Sequence, residues 1–339
     1  MTRYYTIVVP LLAAAAVALP ATQFAPAQQP AELKLLKPFQ VGGAGGWDFP
    51  LVDSAGRRLY IARATRVMVL DLDKGTLLGE VDGVTGAHGV AIVPDRNLGF
   101  ATAGKDNAVV VFDLKTLKTG RKIPTGNGPD AILYDPASQK VFAFCHKDGT
   151  VTVIDPANLE KAPVSIAVGG ALEVGVADGA GRVFVNVEDK SECVAIDSKQ
   201  LKVLARWTLG TATAPTGLAI DTVRKRLFVG CGSKHMVVLD SDSGKLLATS
   251  PIGAGVDGVA YDPEMGALSS NGKDGNLTVV RETSPGTFAV VQTVKTYAGA
   301  KTIAVDLKTH RVYMPANVPG AAGDTFGVAI VGLEPAGKK

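Results

Sequence analysis

One unit of 40 to 44 residues recurs seven times along this chain of 339 residues, and a period of that size restricts the fold to a repeat architecture. Aligned on the residue that precedes a short apolar segment, the units start at Asp48, His88, Asp130, Glu173, Thr216, Asp257 and Lys301. Five residues further on stand Asp53, Val93, Asp135, Asp178, Asp221, Asp262 and Asp306, so six of the seven units carry Asp there. Each unit follows one grammar. A first strand rich in small residues, such as Gly258-Val259-Ala260-Tyr261, ends in an Asp-Pro or Asp-Gly type turn. A second strand carries an aromatic at Tyr60, Phe100, Phe142, Phe184, Phe228 or Tyr313. A β-branched third strand follows, ending at Asp71, Asp113, Asp155, Asp197 and Asp240 in five units, and a more polar fourth strand closes the unit. Short strands at this density, without helical periodicity, predict an all-β fold.

Four strands per unit cannot bury two faces alone, but seven such sheets packed around an axis can. The sequence therefore predicts a seven-bladed β-propeller of four-stranded antiparallel blades. Blades are expected near residues 47–86, 87–128, 129–171, 172–214, 215–256, 257–300 and 301–333, within a single propeller domain over 34–335. The seventh unit stops after its third strand. Residues 34–42, with the phrase Leu35-Leu36-Lys37-Pro38-Phe39-Gln40-Val41-Gly42, resemble the fourth strands of other units and are expected to complete the last blade. Ahead of it, Ile7 to Leu19 is apolar and Ala25-Pro26-Ala27 fits a cleavage pattern, so residues 1–27 read as a signal peptide and 28–33 as a linker. That apolar run is shorter than the roughly 20 residues a spanning helix needs, and no membrane span is expected after cleavage. The expected location is periplasmic or secreted. Cys145, Cys193 and Cys231 lie in strand-forming segments without C-x-x-C spacing, as small buried hydrophobes would.

The phrases Leu59-Tyr60-Ile61-Ala62, Val183-Phe184-Val185-Asn186 and Asp148-Gly149-Thr150-Val151-Thr152-Val153-Ile154-Asp155 resemble the YVTN-type β-propeller repeat, and the chain is similar to exported bacterial YncE-like proteins over about 300 residues. The resemblance implies the propeller fold; it does not imply one activity, because the motif residues are structural. Unit six departs from the pattern, with Leu268-Ser269-Ser270-Asn271 in its second strand and Arg281 in place of Asp, which suggests a weakened register in that blade. No Gly-His stands ahead of a Trp-Asp pair, Trp47-Asp48 being isolated, and Trp47 and Trp207 are too few for a ring of docking tryptophans, which sets aside the WD40 and quinoprotein types.

In a propeller the segments leading into first strands share one face with the hairpins between second and third strands. The seven aligned positions thus converge on one mouth of the axial channel, and ligand-binding candidates there are Asp48, His88, Asp130, Glu173, Asp257 and Lys301. The hairpins add a second ring that includes Arg63, Arg66, Lys105, His146, Lys147, Lys234 and His235. Crowded carboxylates raise one another's pKa or recruit a cation. A Ca²⁺ or Mg²⁺ ion held by Asp130, Glu173 and Asp257 is one expectation, and His88 would shift preference toward a transition metal. Lys plus Arg number 35 against 32 Asp plus Glu, an excess too small to attract polyanions strongly. No nucleophile elbow, zinc-protease helix or phosphate loop is present to name a catalytic residue. The sequence favours an exported, monomeric binding or scaffold module whose channel-mouth face engages a small-molecule ligand or protein partner. A metal-dependent lactonase- or lyase-like enzyme is the alternative, and a nucleic-acid or envelope-polymer binder, which the acidic mouth opposes, is the third.

Overall fold

The computed structural model describes Met1, residues 32–321 and residues 323–333. The expected signal peptide, the linker before Glu32 and the segment after Leu333 lie outside the described residues. Within them the chain forms 28 strands and two single-turn 3-10 segments, grouped into seven antiparallel sheets of four strands. The seven-bladed propeller expected from the repeat is observed.

The innermost strands run Pro50–Asp53, Ala87–Val93, Pro129–Asp135, Leu172–Ala177, Pro215–Asp221, Val256–Asp262 and Ala304–Asp306. Here neighbouring blades approach most closely, and small residues are a steric requirement. A Cβ on Gly217 would lie 2.7 Å from Val259 N, and one on Gly258 would lie 2.9 Å from Ile303 N. Backbone bonds cross between blades at this depth: Phe49 N donates to His88 O at 3.0 Å and Gly258 N to Lys301 O at 2.9 Å.

Burial is organised between blades. Among the described residues there are seven apolar clusters, and each draws on two adjacent sheets. One joins Tyr60, Val67 and Val69 of blade 1 to Ala101, Val110 and Phe112 of blade 2. Another joins Leu59, Ile61 and Leu70 of blade 1 to Tyr313, Phe326 and Val328 of blade 7, closing the circle. The β-branched third strands supply much of this surface because period-two alternation places their side chains on both faces of the sheet. Cys145, Cys193 and Cys231 are free and buried in these layers.

The repeated Asp at the end of the innermost strand in six blades caps its own turn. Asp221 Oδ1 accepts from Val223 N and Arg224 N, and Asp262 Oδ1 from Glu264 N and Met265 N, at 2.8 to 3.0 Å. In three blades the same carboxylate also ties the next blade. Tyr261 donates to Asp221 at 2.6 Å, His310 to Asp262 at 2.8 Å, and Ser54 and Arg57 to Asp306 at 2.6 and 2.7 Å. His310 is thus a tie between blades 6 and 7 on the face opposite the candidate mouth.

The unusual second strand of blade 6 keeps its register against the third. Gly266–Asn271 pairs residue for residue with its third strand from Ala267↔Val280 to Asn271↔Asn276, while the third strand shifts register against the fourth between Val279 and Val280 and again between Glu282 and Ser284, on either side of Arg281. The buried polar groups find partners instead: Asn271 Nδ2 donates to Asn276 and Thr278, and Ser270 Oγ to Ala300 O at 2.5 Å.

The last blade is completed by the amino-terminal strand Leu33–Gln40, which pairs antiparallel with Thr325–Leu333 from Leu33↔Leu333 to Gln40↔Gly327. It starts at Leu33, one residue ahead of the expected boundary, and its pairing ends at Gln40. Gly42 to Gly46 then lead into blade 1 over Arg63. That guanidinium, expected among the surface hairpin charges, is fully buried and donates to the carbonyls of Gly43, Ala44, Gly45 and Gly46. It lies 3.6 Å from the centroid of Phe326, so carbonyl dipoles and an aromatic face solvate the charge.

The closure tolerates no bulk at Gly327, where a Cβ would sit 2.1 Å from Phe39 O. Gly327→Ala is expected to lower unfolding free energy by about 3 kcal/mol, as overpacking against fixed backbone does. Gly46→Ala, whose Cβ would meet nothing within 4 Å, should change it by only about 0.5 kcal/mol. Urea denaturation of the two variants checks this.

Candidate functional site

The residues that open the innermost strands form a rim joined by hydrogen bonds and ion pairs. Each is placed by the same backbone step, the crossing from the outermost strand of one blade to the innermost strand of the next. Lys301 of blade 7 reaches Asp257 of blade 6 at 2.5 Å and Asp48 of blade 1 at 3.4 Å. Asp48 accepts from His88 Nδ1 of blade 2 at 2.6 Å, and the same nitrogen lies 3.5 Å from Asp130 Oδ1 of blade 3. His146, from the hairpin of blade 3, places Nδ1 3.0 Å from Glu173 Oε1 of blade 4 and 3.2 Å from Leu172 O. Two acceptors around one nitrogen put its proton on Nδ1. Thr216 of blade 5 turns away from this chain of charges and donates to Val256 O at 3.0 Å.

Crowding alters the titration of these groups. Burial, reinforced by Asp48, Glu173 and Asp257 and opposed by His88, pushes the Asp130 carboxyl up to about 7. Burial also raises Glu173 against the pull of His146, and Asp257 against the pull of Lys301. The bond to Asp48 raises His88 despite desolvation, and the bond to Glu173 brings His146 to about 9. Burial works against the Lys301 ammonium, yet Asp257 and Asp48 hold it protonated.

Of the expected site residues, Asp48, His88, Asp130, Glu173, Asp257, Lys301 and His146 all fall on this rim. His235 does not join it; its Nδ1 lies 3.4 Å from Ser233 Oγ of its own hairpin. The expected trio of Asp130, Glu173 and Asp257 is divided by its partners. Two groups have donor atoms within 4.8 Å of one another, Asp48–His88–Asp130 and Asp130–His146–Glu173, while Asp257 is held by Lys301. Both groups share Asp130 and both contain an imidazole, a donor set that suits a transition metal better than Ca²⁺ or Mg²⁺.

Behind the rim lies an axial cavity of about 330 Å³. Phe49, Gly89, Ala131, Val174 and Gly258, each the residue after a rim position, line it together with deeper Val, Ile and Leu side chains. The rim is therefore a polar collar on an apolar throat.

A set of interblade pegs went unnoticed in the sequence. Thr102 donates to Asp130 O at 2.6 Å, Asn186 to Gly217 O at 3.0 Å and Ser270 to Ala300 O at 2.5 Å. All three stand two residues after the second-strand aromatic position, in blades 2, 4 and 6, where blades 1, 3 and 5 have Ala62, Phe144 and Gly230. A polar residue recurring at one register of an otherwise apolar strand was the available signal.

The raised groups make stability fall as pH rises. Between about pH 4 and pH 7 folded Asp130 keeps a proton that the unfolded chain releases, and His146 does the same up to about pH 9. Asp130→Asn should therefore flatten the decline over the lower window, and His146→Gln over the upper one, in denaturation series run across pH. Equal slopes in variant and parent would refute the assignment.

No protein-family model matches the chain, and no curated protein matches it in sequence. The YVTN-type resemblance accordingly rests on the repeat motifs alone. Among solved structures the chain is similar to one titled Kuenenia stuttgartiensis Hydrazine Synthase, with a TM-score of 0.67 and 15% sequence identity, covering 88% of this chain and 95% of that one. At that identity the likeness concerns the propeller fold.

Proposed function

We propose that this chain is an exported β-propeller binding module that uses the channel-mouth face to hold a ligand. The observation that carries the reading is the placement of seven titratable side chains, from six blades, on one rim, with the residues that follow five of the rim positions lining one apolar cavity. Convergent polar groups over a concave apolar surface are the general form of a ligand site. The repeated Asp residues are consumed by turns, whereas the side chains of Asp48, His88, Glu173, His146, Asp257 and Lys301 pair with one another across blades. The apolar leader in the sequence supports export.

A direct test is native mass spectrometry of the chain with a panel of small ammonium compounds, carboxylates, sugars and divalent metal ions, repeated with Asp130→Asn/Glu173→Gln. At least one class should bind the parent about tenfold more tightly than the variant. A panel in which no class distinguishes the two would overturn the reading.

The two imidazole-carboxylate groups favour a second reading, a metal-dependent enzyme of the lactonase or lyase kind. A metal on Nδ1 of His88 or His146 would have to displace the proton there, whereas one on Nε2 would leave that proton hydrogen-bonded to its carboxylate partner. Metal analysis of the purified chain after dialysis against Zn²⁺, Mn²⁺ or Ca²⁺ decides it. About one retained equivalent that is lost in Asp130→Ala and Glu173→Ala supports the enzyme; no retained metal, or retention unchanged in both variants, removes it.

A further inference from the structure

We propose that the mouth takes an organic monocation, a primary ammonium bearing a short apolar chain, with the ammonium at Asp130 and the chain in the axial cavity. This rests on the reading of the mouth as a ligand site. Charge count leads to it. Four carboxylates, Asp48, Asp130, Glu173 and Asp257, face three groups able to be cationic, Lys301, His88 and His146. The pairings leave the shortfall at one position. Lys301 spans Asp257 and Asp48, Asp48 takes the short bond from His88, and Glu173 takes His146. Asp130 Oδ1 remains buried without a hydrogen-bond donor, 3.5 Å from His88 Nδ1.

The second observation is independent of charge. The residue after Asp130 is Ala131, which lines the cavity of about 330 Å³ with Val90, Ile132, Val174, Val259 and Ile303. A hydrated inorganic cation would make no use of that surface, and an anion would meet Asp130 and Glu173. A primary ammonium supplies three donors and one positive charge, completing the rim's balance. Its chain then follows the wall from Ala131 inward and removes apolar area from water on both sides.

Isothermal titration with methylammonium, butylammonium and hexylammonium chlorides tests the assignment, with hexanol and hexanoate as controls for charge. Affinity should rise roughly threefold to fourfold per buried methylene, hexanoate should not bind, and Asp130→Asn should weaken hexylammonium by about tenfold. Affinity independent of chain length, hexanoate binding as tightly as hexylammonium, or an unchanged constant in Asp130→Asn would each overturn it. The chain-length series needs only the unmodified protein, so it decides even if a variant folds poorly. If another chemical class binds in a rim-dependent way while hexylammonium does not, the ammonium assignment falls and the mouth remains a ligand site. If no class is rim-dependent, both fall.

Discussion

Apolar contact between neighbouring sheets is the constraint on which everything else in this molecule depends. No blade has a core of its own; each of the seven clusters belongs to two blades, so no blade buries its faces until its neighbours are in place. The cluster between blades 7 and 1 is therefore as necessary as the six formed by sequence neighbours. Packing sheets around an axis also brings their innermost strands together, which accounts for Gly217 and Gly258 and for direct backbone bonds between blades. The rim is a by-product of the same geometry: seven crossings between blades must begin at one mouth.

The fold was legible because its signal is redundant. Six turn-capping Asp residues at one register, an aromatic in most second strands and an incomplete last unit all point to one ring closed by the amino-terminal strand. The site was legible in part. Register placed its residues at one mouth, but pairing depends on distances of a few ångströms between side chains of different blades. His88 and His146 could be foreseen near carboxylates; that Lys301 would occupy Asp257 and leave Asp130 as the poorly satisfied member could not. Arg63 illustrates the opposite error. A hairpin arginine reads as solvated, yet the glycine-rich loop exposes carbonyls that surround it, and loop carbonyl orientation has no one-letter signature.

Two kinds of acidic residue are thus separated by their work. Those ending strands accept backbone N–H bonds, and for several of them these bonds hold the pKa below the usual carboxylate range; Asp306, helped by Ser54 and Arg57, reaches about 2. Those starting strands face one another across the axis, and burial moves Asp130, Glu173 and Asp257 the other way. One repeat places both classes five residues apart, so six of the seven blades carry a structural acid on one face while most carry a chemically responsive group on the other.

The pairing of Leu33–Gln40 with Thr325–Leu333 has a consequence for biosynthesis. Leu33–Gln40 acquires its hydrogen-bonding partner only once Thr325–Leu333 has been made. Until then Phe39 lacks the Tyr313, Phe326 and Val328 side chains of the cluster it packs against. Ring completion is consequently a long-range event, which topology makes slow relative to the pairing of sequence neighbours.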